Sequence, residues 1–330
     1  MSLTSFFAHV IKAQWFTTIP KQTSTFEGQT VLITGANTGL GLAAAKYMAS
    51  HKAAKVIIAC RNTSKGEKAR QELEKETGVK GVAEVWELDL SSYDSIKSFA
   101  TRVNENLDRL DVVICSAGIN TMKFDVVNGY ESMIAVNVVA TFLLGLLLLP
   151  KLKQNVEKYP DSRPHLCFVS SDTHMTVTLD KAGRNQDELI FENLSDKRKT
   201  SMPSRYPMSK LLDVLMTFQM AAKVGNEYPV IINTVNPGLC KSDLGREAPR
   251  FLTAIVNFIL GARSAEVGIQ NYIYAVTGGK EKHGKYISEC REGPLGPGAK
   301  GAKAEVLAAR AWKELTDILE KIEPGITSKL

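Results

Sequence analysis

The sequence lacks an apolar run long enough to cross a lipid bilayer. Its longest run, VVATFLLGLLLLP at residues 138–150, is 13 residues long, whereas a transmembrane helix needs about 20. The amino-terminal segment also lacks the basic stretch and long apolar core of a secretory signal peptide. We interpret residues 138–150 as a buried helix that could also lie at a subunit contact.

The sequence has no strong excess of charge of one sign. Its 41 lysines and arginines against 35 acidic residues give a net charge of +6. The two signs are mixed, as in KGEKARQELEKETG at residues 65–78. This mixing is typical of a solvent-exposed helix face and not of a nucleic-acid-binding stripe. We therefore expect no nucleic-acid partner.

Cysteine is scarce, and the five cysteines are widely spaced. Most lie in strand-like runs, and none has a cysteine or histidine at metal-ligand spacing. The pattern predicts no metal site. It also predicts free, buried thiols in a reducing compartment, which we take to be the cytoplasm, at Cys60, Cys115, Cys167, Cys240 and Cys290.

Apolar strand-like runs alternate with helical patterns from residue 28 onward, and no linker interrupts them. Such alternation predicts one α/β domain, residues 28–330, with a doubly wound parallel sheet covered by helices on both faces. A leader of residues 1–27 precedes it, and a helix at 304–322 ends it. The strand-like runs are TVLIT (30–34), KVIIAC (55–60), AEVWELDL (83–90), LDVVICSAG (110–118), HLCFVSS (165–171), VIINTVNPG (230–238) and KYIS (285–288).

Helix signals are clearest at two further places. Ser64 and Glu67 have the spacing of a capping box, which predicts a helix from Ser64 to about Gly78. Residues 130–154 have the pattern of one long helix.

The leader contains apolar residues at helical spacing. They predict a short helix whose apolar face packs on the domain or, as a less favoured alternative, touches a membrane surface. The residues of that face are Phe6, Phe7, Val10, Ile11 and Trp15.

A glycine-rich turn, TGANTGLG at residues 34–41, follows the first strand. Gly35 would make the turn, while Gly39 and Gly41 would keep the backbone bare at a helix that begins near Leu40. Backbone N–H groups at such a helix start bind phosphate, although glycines also occur in turns for packing reasons. No Gly-Lys-Ser/Thr follows, which excludes a P-loop.

The end of the second strand indicates which nucleotide could bind. An NAD site has an acidic residue about 20 residues after the glycines, but IIACRNTSKGEK carries Arg61 and Lys65 there. These bases fit the 2′-phosphate of NADP, and Lys65 would otherwise oppose the helix dipole. The alternative, two ordinary surface bases, stays open.

The segment SRYPMSK places Tyr206 and Lys210 four residues apart, on one face of a predicted helix. With Ser204 as N-cap, Pro207 would fall in the first turn, where proline is tolerated. A nearby ammonium favours the phenolate and is expected to lower the pKa of Tyr206. Ser171 could hold a carbonyl oxygen beside the phenol.

At this point the chain resembles the short-chain dehydrogenase/reductase family, from residue 28 to 320. The matching motifs occur in the family's order, and ACRNTSKGEKA with the carboxyl-terminal AWKELTDILEKI resembles fungal retinol-dehydrogenase-like reductases. The motifs that match the family in this order are TGANTGLG (34–41), DL (89–90), SAG (116–118), Asn137, VSS (169–171), YPMSK (206–210) and NPG (236–238).

The resemblance implies a Rossmann fold and a catalytic set of Ser171, Tyr206 and Lys210, with Asn137 completing a tetrad through a water relay to Lys210. Departures are Ser116 for the usual asparagine and Ser242 for a threonine. The implied NADP(H)-binding residues are Gly35, Asn37, Thr38, Gly39, Leu40, Gly41, Arg61, Lys65, Asp89, Ser116, Ala117, Gly118, Tyr206, Lys210, Pro237, Gly238 and Ser242.

The segment between Ser171 and Tyr206 is longer than in most members of the family. It is loop-like in sequence, and loops of this length are usually functional or disordered. We predict that residues 172–203 and 239–262 form the substrate wall or lid.

These features predict an NADPH-dependent reductase of a ketone or aldehyde on a bulky apolar small molecule, such as a fungal secondary metabolite of polyketide type. One alternative is a non-redox protein of this fold, either an NADP sensor or scaffold or a dehydratase or cyclase. Another is an NAD-linked alcohol or retinol-type dehydrogenase at a membrane surface. The chain could be a monomer or a homodimer.

Overall fold

The predicted alternation of strands and helices forms a mostly parallel eight-stranded sheet. The structure is a computed structural model that describes residues 3–241 and 257–330. The strands of this sheet are β1 (Thr30–Thr34), β2 (Lys55–Cys60), β3 (Ala83–Glu87), β4 (Val112–Cys115), β7 (His165–Val169), β8 (Ile231–Asn236), β9 (Tyr286–Ser288) and β10 (Arg291–Glu292). Two further strands, β5 (Val126–Val127) and β6 (Tyr130–Glu131), form a separate hairpin that the sequence did not suggest.

The order of the strands is β10-β9-β8-β7-β4-β1-β2-β3. Seven of them run parallel, and only β10 pairs antiparallel with its neighbour β9. The chain moves outward from β1 in both directions, which is the doubly wound topology predicted from the sequence. Ligands bind such sheets outside the carboxyl ends of the strands, where the strand order reverses.

Helices cover both faces of the sheet. They are α1 (Leu3–Phe16), α2 (Gly39–Ser50), α3 (Thr63–Thr77), α4 (Tyr93–Asn106), α5 (Thr141–Lys158), α6 (Ile190–Ser195), α7 (Met202–Val224), α8 (Ala265–Ala275) and α9 (Ala302–Ile322). Side chains of α2, α3 and α8 form one core with Val31 and Ile33, whereas α4, α5, α7 and α9 form the other with Leu32. Because successive strand residues face opposite sides, β1 contributes to both cores.

The long apolar helix begins later than predicted. Residues 130–131 belong to β6, Ile134–Ala140 form a π-helical segment, and α5 continues to Lys158. Glu131 is fully buried and accepts a hydrogen bond from the Met133 amide at 3.1 Å, which fixes this start. The helix Ile134–Lys158 is long and apolar enough to cross a bilayer, but 94% of its most apolar stretch is buried in the protein. The prediction of a buried helix is confirmed.

Two predicted helix starts are wrong. Asn62, not Ser64, caps α3, because its side chain accepts a hydrogen bond from the Lys65 amide at 2.9 Å. Likewise α7 begins at Met202 after Ser201, one turn before the predicted Ser204. Pro203 then occupies the first turn, where its fixed φ suits a helix start, and Pro207 lies inside the helix.

The leader forms α1 and an extended stretch, and it packs on the domain. Val10 and Ala13 are buried against it, and Phe26 is almost completely buried. The predicted docking face is only partly right, since Phe7, Ile11 and Trp15 are exposed. The packing face is therefore rotated toward Val10 and Ala13.

The segment 172–203 is less loop-like than predicted. It contains a 3₁₀ turn, Asp172–Thr176, and α6. Phe191 is buried against the core, and its amide donates a hydrogen bond to Glu314 of α9 at 3.1 Å. The second predicted substrate segment, 239–262, lies largely outside the described residues, and its role stays a prediction.

Candidate active site

Small and polar residues meet at the carboxyl edge of the sheet. Residues 116–118 follow β4, Ser170 and Ser171 follow β7, and residues 236–238 end or follow β8. Because these strands are neighbours and parallel, their carboxyl ends lie side by side.

The structure brings the predicted catalytic side chains together at this edge. Lys210 and Tyr206 lie one turn apart on α7, with the Lys210 Nζ 5.6 Å from the centre of the Tyr206 ring. The Ser171 side chain is close enough to the Tyr206 phenol to lower its pKa slightly. Ser170 donates a hydrogen bond to the Lys210 carbonyl oxygen at 2.8 Å, which fixes α7 against the end of β7.

Lys210 is buried and has two acceptors. Its Nζ donates to the Val169 carbonyl oxygen at 2.8 Å and to Asp213 Oδ2 at 2.9 Å. Asp213 is also buried, and its second carboxylate oxygen has no hydrogen-bond partner among the described residues. Sequence reasoning missed Asp213, although a carboxylate three residues after a helical lysine is a pairing signal.

The two charges of this pair act on each other. Burial disfavours the charged form of Lys210, but Asp213 and Tyr206 together outweigh this effect and the pKa of Lys210 is raised. Burial raises the pKa of Asp213 to about 6, and Lys210 opposes that rise. Lys210 is therefore an ammonium group at neutral pH.

The expected lowering of the Tyr206 pKa is not seen. Burial of the phenol raises its pKa, and the negative charge of Asp213 adds to the rise. Lys210 and the Ser171 side chain act in the predicted direction but do not outweigh burial. Tyr206 is consequently a protonated phenol at neutral pH, the form that can give a proton.

Asn137 lies in the π-helical segment and connects it to the end of β4. Its Oδ1 accepts from the Ile119 amide at 2.8 Å, and its Nδ2 donates to the Ile119 carbonyl at 2.9 Å and to Ser209 Oγ at 3.0 Å. A Cβ atom at Gly118 would come within 3.2 Å of Asn137 Oδ1 and 3.9 Å of Lys210 Nζ. Asn137 and Lys210 thus both lie close to Gly118, and the predicted water relay stays a prediction.

The glycine turn is tightly packed. Gly35 has a φ of +70°, and a Cβ atom there would lie 3.0 Å from the Ala117 Cα atom. A Cβ atom at Gly41 would lie 2.7 Å from the Gly35 carbonyl oxygen. Packing therefore requires both glycines. This agrees with the alternative explanation of the turn, in which glycines occur there for packing reasons.

The same turn also leaves a helix start suited to an anion. Gly39, with a φ of +55°, begins α2, and the Thr38 side chain makes no capping hydrogen bond to this helix. Asn37 and Thr38 belong to the turn itself. Leu40, in the first turn of α2, packs near Gly268 of α8. Uncapped first-turn amides and the helix dipole can bind a phosphate here.

Arg61 and Lys65 are exposed at the end of β2 and the start of α3. In the part of the chain that the structure describes, neither side chain forms an ion pair or hydrogen bond. Asp89, at the end of the neighbouring strand, uses Oδ1 to accept hydrogen bonds from the amide and hydroxyl of Ser91. These residues lie at the ends of adjacent strands, β2 and β3.

The remaining predicted cofactor residues line the centre of the same edge. The Ala117 amide donates to Thr34 Oγ1 at 2.9 Å, and Ser116 Oγ lies 3.1 Å from the Tyr272 hydroxyl. Gly238, after Pro237, has a φ of +80°. Ser242 lies outside the described residues.

Known proteins are similar to this chain in both sequence and fold. The family model described as short chain dehydrogenase matches residues 29–172. The short chain dehydrogenase/reductase dmxR8 of the fungus Cryptosporiopsis sp. is 38% identical over 96% of this chain and 98% of that protein. The chain belongs to the short-chain dehydrogenase/reductase family.

A further sequence relative and a solved structure are also similar to this chain. The short chain dehydrogenase atnD of Emericella nidulans is 41% identical over 83% of this chain and 88% of its own. The 3-ketoacyl-(acyl-carrier-protein) reductase of Brucella melitensis, solved with NADH, has a TM-score of 0.58 and 20% identity, and covers 80% of this chain and 97% of its own. At that identity the likeness shows the fold alone, which is the predicted Rossmann fold.

The side chains at the sheet edge fit the nicotinamide cofactors that this family uses. The turn before α2 contains Gly35 and Gly39, the Thr38 side chain does not cap the helix, and the buried Lys210 ammonium lies at the end of β7, where it donates to the Val169 carbonyl oxygen. The chain is therefore an oxidoreductase of the short-chain family that acts on a small molecule.

Proposed function

We propose that this protein is an NADPH-dependent reductase of a ketone or aldehyde, with Tyr206 as the general acid. The observation that carries the proposal is the group of Ser171, Tyr206 and Lys210, in which a protonated phenol lies beside both a hydroxyl and a buried ammonium. A pure sensor or scaffold would have no need of this arrangement.

The preference for NADP over NAD rests on the end of β2. Arg61 and Lys65 are exposed there, and among the described residues neither forms an ion pair with an acidic side chain. The end of β2 carries no acidic residue that could bind a ribose 2′-hydroxyl. Two unpaired bases favour a 2′-phosphate, and NADPH favours reduction.

The cofactor would extend along the carboxyl edge of the sheet. The first turn of α2 would hold the pyrophosphate, Arg61 and Lys65 the 2′-phosphate, and residues 116–118 with Lys210 the ribose on the nicotinamide side. When bound, NADPH supplies the hydride that reduces the carbonyl carbon.

The side chains of this protein would bind and protonate the carbonyl oxygen of the substrate. The Ser171 hydroxyl donates a hydrogen bond to the carbonyl oxygen and holds it beside Tyr206. As negative charge develops on that oxygen, Tyr206 gives it the phenolic proton and becomes a phenolate. The Lys210 ammonium stabilises the phenolate, and Asp213 keeps Lys210 charged.

We also propose a substrate class and a location. The relatives are fungal, and a bulky apolar ketone of secondary metabolism, such as a polyketide-type intermediate, fits the apolar segment 251–260 that follows the NPG turn. Five buried, unpaired thiols, as the sequence predicts, are consistent with a reducing compartment such as the cytoplasm.

The test is consumption of NADPH with a panel of aromatic and aliphatic ketones. Tyr206→Phe removes the proton donor and should lower kcat by about 10³-fold or more, while NADPH still binds. Tyr274→Phe, the same change outside the catalytic group, should keep full activity. Turnover by Tyr206→Phe at the wild-type rate would contradict the proposal and favour a non-redox role.

A further inference from the structure

Helix α1 of the leader crosses the carboxyl edge of the sheet beside the catalytic group. Near its middle, His9 Nε2 lies 3.6 Å from Asp172 Oδ2, and Asp172 directly follows Ser171. Near its carboxyl end, the Arg263 guanidinium donates hydrogen bonds to the carbonyl oxygens of Ala13 and Thr17. The helix therefore spans from the end of β7 toward the end of β8.

Gln14 of this helix lies against the turn that follows β8. A Cβ atom added at Gly238 would come within 3.1 Å of Gln14 Nε2 and 2.9 Å of an Arg263 nitrogen. Only glycine leaves room for both groups, and its φ of +80° suits glycine as well. The carboxamide of Gln14 is thus held directly beside the backbone of Gly238.

The carboxamide oxygen of Gln14 is buried and has no hydrogen-bond partner among residues 3–241 and 257–330. Native proteins rarely leave a buried acceptor unpaired, and an exception calls for a partner that binds later. The Gln14 carboxamide lies beside Gly238 at the edge where the family binds its ligands, and His9 of the same helix contacts Asp172, which follows Ser171. Among the described residues no cluster of His, Cys, Asp or Glu side chains could hold a metal ion, so we take the partner of this oxygen to be an N–H or O–H group.

We propose that Gln14 is a ligand-binding residue and that α1 is a wall of the active site. Its carboxamide oxygen accepts a hydrogen bond from an amide N–H or a hydroxyl of the bound ligand. This inference rests on the proposed function, which supplies two sources of such a group. One is the carboxamide of the nicotinamide, and the other is a hydroxyl of the substrate or product.

The experiment compares wild type with Gln14→Leu, which removes the acceptor oxygen at nearly constant volume. Dissociation constants are measured by fluorescence for NADPH and for adenosine 2′,5′-bisphosphate, which has the phosphate end but no nicotinamide. KM is measured for the best ketone and for an analogue of it without hydroxyl groups. Gln71→Leu, the same change on the exposed face of α3, is the control, and thermal unfolding checks that each variant is folded.

If the nicotinamide is the partner, Gln14→Leu weakens NADPH binding about tenfold and leaves adenosine 2′,5′-bisphosphate unchanged. If the substrate is the partner, KM rises about tenfold for the hydroxylated ketone alone. Should Gln14→Leu fail to fold, Gln14→Met, an unbranched apolar residue of similar length, replaces it and should show the same loss.

Wild-type values for every ligand in a folded Gln14 variant overturn the inference and leave the proposed function intact. Failure of wild type to bind either NADPH or adenosine 2′,5′-bisphosphate overturns the proposed function, and the inference falls with it. Loss of both nucleotides in Gln14→Leu would also overturn the inference, because it would indicate a general distortion of the cleft.

Discussion

The Asp213 carboxylate lies 2.9 Å from the Lys210 ammonium, one turn further along α7, and both side chains are buried. The pair sets the charge of the catalytic group. Asp213 keeps Lys210 protonated, but its negative charge also raises the pKa of Tyr206 and so opposes the effect of the lysine on the phenol.

Replacing Asp213 by asparagine should shift the pH dependence of reduction. The negative charge that raises the Tyr206 pKa is lost, so this pKa falls, and the pKa of Lys210 falls as well because Asp213 no longer opposes the effect of burial. Reduction needs the protonated phenol, and activity is lost as the pH rises through its pKa. We expect the alkaline limb of kcat for Asp213→Asn to move by about 1 pH unit toward lower pH.

The control for this prediction is Asp317→Asn in α9. Asp317 pairs with Lys313 on the same helix, but both are exposed and distant in sequence from the catalytic group. Its pH profile should match that of wild type. An unshifted profile for Asp213→Asn would show that the carboxylate does not act on Tyr206.

The sequence predicts more of the catalytic group than of its surroundings. Tyr206, Lys210 and Ser171 follow from motif spacing, and the structure places them together. Asp213 was missed because a single carboxylate on a helix is normally solvent-exposed, and only the tertiary structure shows it buried. The Tyr206 pKa was misjudged for the same reason, since burial outweighs the lysine charge.

The His9–Asp172 contact should stabilise the fold only in mild acid. Its hydrogen bond with Asp172 raises the pKa of His9 above 6.5, so this stability is complete below that pH and is lost as the pH rises through the raised value. Burial opposes ionisation of Asp172, but His9 and Tyr286 outweigh it and lower its pKa below 3.8. The contribution of Asp172 is thus lost only as the pH falls below that range.

His9→Ala should therefore lower the melting temperature most between about pH 4 and pH 6.5, and hardly at all above pH 8. The side chain is 28% exposed, and we expect a loss of at most about 1 kcal/mol, or roughly 2 °C. Thermal unfolding of both proteins across this pH range checks the result. A difference that grows as the pH rises above 7 would contradict the ion pair.

Two glycines with similar backbone angles should respond differently to alanine. Gly35 and Gly78 have φ values of +70° and +74°, but only Gly35 is crowded, with Ala117 at 3.0 Å from an added Cβ atom. Gly78→Ala should cost about 1 kcal/mol of backbone strain. Gly35→Ala adds a steric clash, and we expect about 3 kcal/mol in total, with weaker NADPH binding.

Denaturant unfolding measures both losses, and NADPH titration measures binding. Gly78→Ala, at the end of α3, should bind NADPH as wild type does. Equal losses of stability in the two variants would show that the packing of the turn against Ala117 does not matter.

The main features of the fold are predictable because they depend on local patterns. The runs VLI in TVLIT and VIIAC in KVIIAC are continuously apolar, which is typical of a strand buried on both faces. Helix α8 was missed because polar residues such as Asn271 interrupt its apolar positions. Asn271 is buried, and its side chain donates a hydrogen bond to the Pro237 carbonyl oxygen. The docking of α1 depends on distant partners, Asp172 and Arg263, which no local pattern reveals.

The most direct test of the account is fluorescence titration of wild type and Arg61→Ala with NADPH and NADH. The account predicts that wild type binds NADPH more tightly, and that Arg61→Ala weakens NADPH binding about tenfold while NADH binding is unchanged. Equal affinity of wild type for the two cofactors, or equal losses for both in the variant, would contradict the NADPH assignment.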